Sequence, residues 1–224
     1  MDLSEGLRKE NLQKQIEYYE NLLLQHGEKP EALDWNSKPS QLLRYKVMKN
    51  VFNYISKRGL DILDVGCGFG DFWEYLKKEK IDQQYKVKYK GIDISEKLIE
   101  VARKKHPKSD FEVKNILKDD FNRSFDLVFC SGAFNIRFMD ADAHLKYVKD
   151  LLLKMFELSK IGVVANFLSA SAVYMTAEED FNSNRYFYFR AEDIINLCRF
   201  LSSKYVLRHD YHAGDFTIYL FKGA

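Results

Sequence analysis

A short apolar run that leads into three closely spaced glycines constrains this chain more than any other feature. The run, LDILDV at residues 60–65, shows little polar alternation and is typical of a central parallel strand covered on both faces. Gly66, Gly68 and Gly70 follow at every second position. Because glycine loses the most backbone freedom on folding, three so close together are costly unless the backbone must turn sharply against a ligand. The sequence therefore predicts a buried strand, a ligand-binding turn and a helix that begins at the turn.

The spacing of the glycines indicates which class of ligand the turn binds. A dinucleotide-binding turn has glycines at its first, third and sixth positions, with an acidic residue about 20 residues further on that binds ribose hydroxyls. Here the third glycine comes one position early, which gives DxGxGxG with Asp64 at the strand end. The acidic residue is present, because a second predicted strand, YKGID at residues 89–93, ends in Asp93. The turn and this carboxylate together are a more specific signal than either alone.

This combination resembles the class I S-adenosylmethionine-dependent methyltransferases. In that family the first motif ends a strand in a D/ExGxGxG loop, and the second strand ends in a ribose-binding acidic residue. The resemblance runs from about Leu60 to the C-terminus, and it implies S-adenosylmethionine as cofactor and S-adenosylhomocysteine as product. It implies that Asp64 and the turn lie against the methionine part and that Asp93 binds the ribose. The implied cofactor-binding residues in this region are Asp64, Gly66, Cys67, Gly68, Gly70, Asp93 and Ile94.

The residues after a third predicted strand, which begins at Phe111, are the next part of the resemblance. Asn115 and Ile116 follow this strand at the place where the family often carries an acidic or amide residue beside the adenine. An amide can bond the adenine amine and a ring nitrogen together. The alternative for Asn115 is a turn residue, which is a natural role for asparagine. We expect Asn115 and Ile116 to contact the cofactor.

The segment after FDLVFC, at residues 125–130, matches the end of the family's fourth strand. Ligands in an open parallel sheet lie outside the carboxyl ends of the strands. Ser131, Phe134 and Asn135 are therefore expected to face the sulfonium and the acceptor, with Ser131 binding the cofactor and Asn135 taking part in catalysis. The segment reads SGAFN where the family's nucleobase N-methylating enzymes often carry [N/D/S]PP[Y/F]. This departure argues against DNA as a substrate.

The chain is expected to consist of an N-terminal helical cover at residues 1–59 and a methyltransferase core at residues 60–224. Apolar residues at helical spacing predict one helix that stops at His26 and a second, capped by Ser40, that runs to Arg58. Packing on the sheet is one role for these helices.

Closing over the cofactor is the other role, since N-terminal helices do this in many class I methyltransferases. A basic residue there can pair with the methionine carboxylate. Trp35, Gln41 and Arg44 are the candidates, and Arg44 is a planar bidentate donor suited to a carboxylate. We include Trp35 and Arg44 among the expected cofactor-binding residues.

The rest of the chain completes an α/β fold. The fifth strand, at residues 161–167, is followed by a long aromatic loop that contains Tyr174, Phe181 and residues 185–190. This loop is either a substrate lid or core beneath the next helix. Two final strands match the antiparallel pair that closes the methyltransferase sheet. We therefore expect a three-layer, Rossmann-like methyltransferase fold with a mostly parallel seven-stranded sheet in the order 3-2-1-4-5-7-6 and an antiparallel C-terminal hairpin.

Two histidines lie at the end of the sixth predicted strand, at residues 205–211. Because that strand should run parallel to the first five, His209 and His212 fall on the ligand side of the sheet. An alcohol or phenol acceptor gains from a general base, and these two histidines are the candidates for it. A neutral amine needs only its lone pair.

The composition excludes several other classes of partner. Thirty-five basic residues against 33 acidic ones leave a net charge of +2, which gives no electrostatic footprint for a long nucleic-acid contact. Three cysteines without a CxxC pair fit a reducing cytosol and neither a disulfide framework nor a zinc site. The first residues lack the apolar core of a secretory signal, and no apolar stretch is long enough for a membrane span. We expect a cytoplasmic protein without DNA or membrane partners, for which RNA is disfavoured.

Asp140, Asp142 and His144 suggest a metal site at first sight. Magnesium prefers oxygen ligands from more than one loop, and no matching DN pair follows the fifth strand. Acidic residues at a helix N-terminus explain these positions better, and no metal is expected.

The function expected from the resemblance is methyl transfer to an oxygen or nitrogen atom of a small-molecule acceptor. Arg137, Arg185 and Arg190 near the predicted mouth of the site would suit an anionic acceptor, such as a sugar phosphate, a nucleotide-linked sugar or a carboxylic acid. Three alternatives stay open: an RNA-modifying methyltransferase, a nicotinamide-dependent oxidoreductase and a non-catalytic cofactor-binding partner protein.

Overall fold

The chain forms a seven-stranded sheet with the strand order β3-β2-β1-β4-β5-β7-β6, which confirms the predicted order. The structure is a computed structural model that describes residues 3–174 and 184–223. β1 to β5 run parallel, and β7 runs antiparallel to both of its neighbours, so β6 is parallel to the first five. The strands are β1 (Asp61–Val65), β2 (Lys88–Asp93), β3 (Asp110–Val113), β4 (Phe125–Cys130), β5 (Ser159–Leu168), β6 (Tyr205–Arg208) and β7 (Asp215–Phe221).

Helices cover both faces of the sheet. The helices are α1 (Leu3–His26), α2 (Lys38–Lys49), α3 (Asp71–Lys78), the single turn α4 (Ile81–Gln84), α5 (Glu96–Lys105), α6 (Ala141–Leu158) and α7 (Ala191–Leu201). Short 3-10 turns lie at Pro30–Leu33, Asn50–Tyr54 and Ala170–Tyr174. Ser95 caps α5 as predicted, because its Oγ accepts a hydrogen bond from the Leu98 amide.

The core is built from strands that are apolar on both faces. Successive residues of a strand point to opposite sides, so Ile62 packs towards α2 and α3 while Leu63 packs towards α6 and α7. Leu127 and Val128 on β4 divide between the same two clusters. This double burial explains why these strands read as continuous apolar runs in the sequence.

Several predicted boundaries differ from the structure: β6 ends at Arg208, β5 spans Ser159–Leu168, and both ends of α2 are displaced. α2 begins at Lys38, and its cap is Ser37, whose Oγ accepts from the amide of Ser40 at 3.3 Å. The prediction that Ser40 is the cap is wrong because Pro39 already occupies the first turn, where a missing N–H costs nothing. The α-helix also ends at Lys49 and continues only as a 3-10 turn.

Further observations concern the cysteines, the helices and the acidic residues of the described part of the chain. The three cysteines are free and buried. No helix within residues 3–174 and 184–223 combines the length and the apolar character needed to cross a bilayer. In the same residues, no group of three His, Cys, Asp or Glu side chains is arranged to hold a metal ion. Asp140 caps α6 by accepting from the Ala143 amide at 2.9 Å, which confirms its interpretation as a helix N-terminal residue.

Candidate functional site

A cavity of about 100 Å³ lies at the carboxyl ends of β1, β2 and β4. We call it the first cavity. It brings together most of the residues expected to bind the cofactor, from five separate parts of the chain. These residues are Trp35, Asp64, Gly66, Cys67, Gly68, Asp93, Ile94, Asn115, Ile116 and Ser131.

The glycine turn forms one wall of the first cavity. Gly66 and Gly68 have φ angles of +70° and +52°, in the left-handed region that favours glycine. A Cβ on Gly66 would lie 2.9 Å from the Ala133 Cβ, and one on Gly68 would lie 2.9 Å from the Leu33 side chain. The turn therefore needs glycine both for its backbone conformation and for the close approach of Ala133 and Leu33.

Asp93 connects the end of β2 to the glycine turn. Its Oδ2 accepts from the Gly68 amide at 3.0 Å, and its Oδ1 accepts from the Ser95 amide at 3.0 Å. Burial raises the pKa of Asp93, while these amides and the Ile94 amide oppose the rise. Each carboxylate oxygen has a second lone pair, so the side chain can still accept from two vicinal hydroxyls.

Asp64 and Ser131 add buried polar groups to the same cavity. Tyr89 donates its hydroxyl to Asp64 Oδ2 at 2.6 Å, yet burial raises the pKa of Asp64 to about 7. The Ser131 Oγ is buried and has no hydrogen-bond partner among the described residues. A buried hydroxyl without a partner is costly. The glycine cradle, the Asp93 carboxylate and this hydroxyl fit a polar nucleoside ligand such as S-adenosylmethionine.

Asn115 lines the first cavity and also shapes a turn. Its side-chain Oδ1 accepts from the backbone amide of Leu117 at 2.9 Å, and its backbone amide donates to Asp119 Oδ2 at 2.7 Å. Asn115 therefore acts as a turn residue, which was the alternative interpretation. Asn115 also lies beside the cavity, so its side-chain NH₂ group can still bond the adenine, and this contact stays a proposal.

Gly70 is not among the residues that line the first cavity. It lies at the start of α3 with a φ of +75°, and a Cβ there would lie 2.6 Å from Phe111 and 2.8 Å from His106. Gly70 is therefore needed because the backbone is left-handed at the start of α3 and because Phe111 and His106 pack closely against it.

Arg44 also lies outside the lining of the first cavity. Its Nε donates to Asp215 Oδ1 at 3.1 Å, and its Nη2 pairs with Asp215 Oδ2. Its Nη1 donates to the backbone oxygen of Ser40 at 2.8 Å and to the Ser40 hydroxyl. The expected pairing with a methionine carboxylate does not match this geometry, because Asp215 occupies the bidentate face of the guanidinium. Gln41, the third cover candidate, is buried and donates to Asp71 at 3.1 Å.

A second cavity of about 340 Å³ adjoins the first. Both cavities are lined by Tyr19, Leu33, Trp35 and Gly132. Trp35 lies at the junction, where a Cβ on Gly132 would be 3.3 Å from the indole ring. The two cavities are therefore neighbouring compartments, and the second has room for an acceptor beside the first.

The three expected catalytic residues have different positions. His212 and Asn135 line the second cavity. Both histidines are exposed, but His209 is not among the lining residues of either cavity. The His209 Nε2 lies 3.2 Å from the backbone oxygen of Ala213. His212 Nδ1 lies 2.9 Å from Asp215 Oδ2, so of the two histidines His212 has the better geometry for a general base.

Asn135 and Phe134 have structural contacts. Asn135 Oδ1 accepts from the Leu168 amide at 3.0 Å, and this bond connects the loop after β4 to the end of β5. Phe134 is fully buried, and its ring stacks on Phe167 with centroids 4.9 Å apart. The expectation that Phe134 faces the sulfonium is wrong, because the loop turns this ring into the core.

Side chains of the aromatic loop divide between the second cavity and the core, which confirms the predicted core packing for part of the loop and leaves the substrate lid a prediction. Tyr186 and Tyr188 line the second cavity, whereas Phe187 and Phe189 pack against the main core. The backbone here is tied into place, since the Phe189 amide donates to the oxygen of Leu168 at 2.8 Å. Phe181 and the side chain of Tyr174 lie outside the described residues.

Helix α1, in the segment expected to form the N-terminal cover, contributes residues that are not among the expected cofactor-binding ones. Gln15, Ile16 and Tyr19 on α1 line the first cavity. Arg185 holds this cover in place, because its Nε donates to the Tyr18 hydroxyl at 2.6 Å and its guanidinium pairs with Asp34. We call this contact the clasp. The helical spacing of α1 indicated its apolar face, but it gave no sign of what that face covers.

The chain is similar in sequence to known methyltransferases over part of its length. Residues 62–154 match a family model described as a methyltransferase domain. The chain is 36% identical over 98 residues to a malonyl-[acyl-carrier protein] O-methyltransferase from Acetivibrio thermocellus, a match that covers 40% of this chain and 33% of that protein. It is 44% identical over 75 residues to a ribosomal protein L11 methyltransferase from Dictyoglomus turgidum, covering 32% and 23%. The matches thus span a third or less of these curated relatives.

Among solved structures, the N-methyltransferase NodS from Bradyrhizobium japonicum WM9, in complex with S-adenosyl-L-homocysteine, has a similar fold. The TM-score is 0.62 at 15% identity, and the likeness covers 92% of this chain and 96% of that one. At this identity the likeness concerns the fold, and it confirms the expected Rossmann-like methyltransferase architecture over most of the chain.

Proposed function

We propose that this chain, which belongs to the class I S-adenosylmethionine-dependent methyltransferases, transfers the cofactor's methyl group to an oxygen or nitrogen atom of a small-molecule acceptor. One observation carries the proposal: the Asp93 carboxylate accepts from the Gly68 amide, so the carboxylate proposed to bind the ribose lies against the glycine turn in one cavity. The second cavity, which shares Trp35 and Gly132 with the first, is the proposed acceptor site.

The proposed roles of the residues follow from their positions. Asp93 would bind the ribose hydroxyls, with Ile94 beside it, while Asn115 and Ile116 would contact the adenine. When bound, S-adenosylmethionine supplies a methyl group that is already electrophilic because it is carried on a sulfonium. The protein therefore has mainly to align the acceptor and to exclude water.

The methionine end of the cofactor would lie against the turn and the residues around it. Asp64, Cys67 and Ser131 are the proposed contacts there, and Trp35 would separate the cofactor from the acceptor. Lys114 is a cation that lines the first cavity, but its Nζ lies 3.4 Å from Glu112 on the side next to Asn115. We therefore assign the methionine carboxylate to backbone amides of the turn region, in place of Arg44.

The residues that line the second cavity do not support the expected anionic acceptor. Arg137 donates to the backbone oxygen of Met139, Arg185 belongs to the clasp, and Arg190 lies 4.0 Å from Glu192; none of the three lines this cavity. Its charged lining residues Asp34 and Asp215 each pair with an arginine. Because these charges balance, we propose an acceptor whose reacting group carries no negative charge.

A binding experiment followed by an activity screen tests the proposal. Isothermal titration of the full chain with S-adenosylhomocysteine should give saturable heat, whereas NADH should give none. Binding of NADH in preference would support the oxidoreductase alternative. Radiolabelled methyl transfer to a panel of hydroxyl and amine compounds would then identify the acceptor. Cofactor binding with no turnover on any acceptor, including RNA, would support the non-catalytic alternative.

A further inference from the structure

A buried carboxylate lies between an arginine and a histidine at the edge of the second cavity. Asp215, the first residue of β7, is completely buried. On one side it forms the bidentate pair with Arg44 of α2, and on the other its Oδ2 lies 2.9 Å from His212 Nδ1. All three residues line the second cavity. The arrangement connects the N-terminal cover, the last strand and the acceptor site through charged groups.

Two neighbours make opposite demands on His212 Nδ1. The Asp215 carboxylate at 2.9 Å requires a proton on Nδ1, whereas the Gly214 amide, which lies 3.1 Å from the same atom, can donate only to its lone pair. The imidazole cannot satisfy both at once. A hydrogen bond to a carboxylate is charge-assisted and about twice as strong as one between neutral groups. The Nδ1–H form of His212 should therefore be favoured as long as Asp215 is ionised.

Arg44 keeps Asp215 in that ionised state. Burial raises the pKa of Asp215, and the positive charge of Arg44 is the largest effect that opposes the rise. Arg44 is itself fixed, since Nη1 donates to Ser40 and the guanidinium carbon lies 5.2 Å from the Trp35 ring centroid. Both partners of the pair are buried, so the geometry has little freedom to change.

We infer that Asp215, held by Arg44, is a positioning residue that keeps His212 in the Nδ1–H tautomer and so leaves the Nε2 lone pair to act as general base for a hydroxyl acceptor. The inference rests on the proposed methyl transfer and narrows it. A neutral amine attacks with its own lone pair, whereas a hydroxyl oxygen must lose its proton as the new bond forms. A carboxylate-oriented histidine therefore favours O-methylation over N-methylation.

The proton and electron balance of the step is simple. The acceptor oxygen forms a bond to the methyl carbon while the sulfur–methyl bond breaks, and the electron pair of that bond stays on sulfur. His212 Nε2 takes the hydroxyl proton, and Asp215 stabilises the resulting imidazolium through Nδ1–H. The products are the methyl ether, S-adenosylhomocysteine and one proton, which His212 then releases to water.

Nitrogen-15 NMR of the full chain labelled at its five histidines tests the inference without an acceptor. Two-bond proton–nitrogen correlations distinguish the two neutral tautomers, and His212→Gln identifies the His212 signals. In the unmodified chain above neutral pH, the Nδ1–H form should exceed the Nε2–H form by about tenfold. In Asp215→Asn the ratio should reverse, because Arg44 would hold the amide oxygen and the NH₂ group would donate to Nδ1. His209, which lacks the carboxylate contact, should be unchanged.

The unmodified chain alone can overturn the inference. A predominantly Nε2–H His212 there would contradict it, whatever the stability of Asp215→Asn. An unchanged tautomer in a folded Asp215→Asn would also contradict it. Titration with S-adenosylhomocysteine separates this outcome from failure of the proposed function, because Asp215 does not line the first cavity and Asp215→Asn should bind the product as the unmodified chain does. Absence of binding by the unmodified chain would instead count against the proposed function.

Discussion

The carboxylate of Asp93 accepts a hydrogen bond from the Gly68 amide at 3.0 Å, and this bond ties the end of β2 to the turn that follows β1. The second oxygen accepts from the Ser95 amide, so the side chain is oriented before any ligand arrives. Preorganisation of this kind lowers the cost of binding. It also makes Asp93 the residue whose replacement should affect cofactor binding most specifically.

Asp93→Asn should weaken S-adenosylhomocysteine binding by about 10-fold to 100-fold, since the proposed charge-assisted hydrogen bonds to the ribose are lost and the new NH₂ group faces either the Gly68 or the Ser95 amide. Isothermal titration measures the change. Asp110→Asn is the matched control, because Asp110 is an exposed carboxylate at the start of β3 that pairs with Lys90. Equal affinity for Asp93→Asn and the unmodified chain would remove Asp93 from the site.

Gly68→Val should abolish measurable product binding while the chain stays folded. The φ of +52° disfavours a branched side chain, and the new Cβ would come within 2.9 Å of Leu33 in the wall of both cavities. The backbone strain should cost about 1–3 kcal/mol in the free energy of unfolding.

Gly59→Val supplies the control for strain alone. Gly59 has a φ of +74°, but no atom lies within 4 Å of its added Cβ. It should lose similar stability and keep its affinity, as measured by chemical unfolding and calorimetry. Loss of binding in both variants would mean that backbone strain explains the effect of Gly68→Val, and not the new side chain in the wall of the cavity.

The clasp predicts a connection between the cover and cofactor affinity. In Arg185→Met the hydrogen bond to Tyr18 and the pair with Asp34 are lost, so amides of α1 around Tyr18 should exchange with solvent faster. Product affinity should fall by about threefold to tenfold, because α1 lines the first cavity. Hydrogen exchange with mass spectrometry and titration measure the two effects.

Arg190→Met is the matched control for the clasp, since Arg190 is 70% exposed and lies 4.0 Å from Glu192. Its exchange pattern and affinity should equal those of the unmodified chain. Unchanged protection of α1 in Arg185→Met would show that the cover is held by its apolar contacts alone.

Asp64 predicts a pH dependence of stability. Its pKa of about 7 in the folded chain lies above the unfolded value of about 4, so between these two pH values only the folded state binds the proton. The free energy of unfolding should therefore decrease as the pH rises from about 4 to 7, by up to about 4 kcal/mol. Asp64→Asn should make the unfolding free energy less dependent on pH. Urea unfolding at pH 5 and pH 8 tests this, and an identical pH dependence in the two proteins would contradict it.

The sequence predicted the parts of this molecule that depend on local pattern. Much of the lining of the first cavity followed from Gly66, Gly68 and Asp93, whose meaning lies in short spacings, and the strand order followed from the family resemblance that these residues carry. Consecutive apolar residues such as Ile62 and Leu63 identified the buried strand for the same reason.

Long-range pairing was not predictable in the same way. Arg44 and Asp215 are 171 positions apart, and nothing near either residue indicates that the two form a pair. From the sequence alone, Arg44 is therefore expected to bind the methionine carboxylate of the cofactor. The prediction that Phe134 faces the cofactor fails because no periodicity indicates the direction of a side chain in the irregular loop after β4. In the aromatic loop, by contrast, alternation sends Tyr186 to the cavity and Phe187 to the core, but only the fold shows which side is which.

Titration of the unmodified full chain with S-adenosylhomocysteine by isothermal calorimetry tests the central claim most directly. The geometry of Asp93 and the glycine turn predicts saturable heat with one site per chain, and this heat should be greatly reduced in Asp93→Asn and retained in Asp110→Asn. Absence of saturable heat from the folded, unmodified chain would contradict the claim that this cavity holds a sulfonium nucleoside.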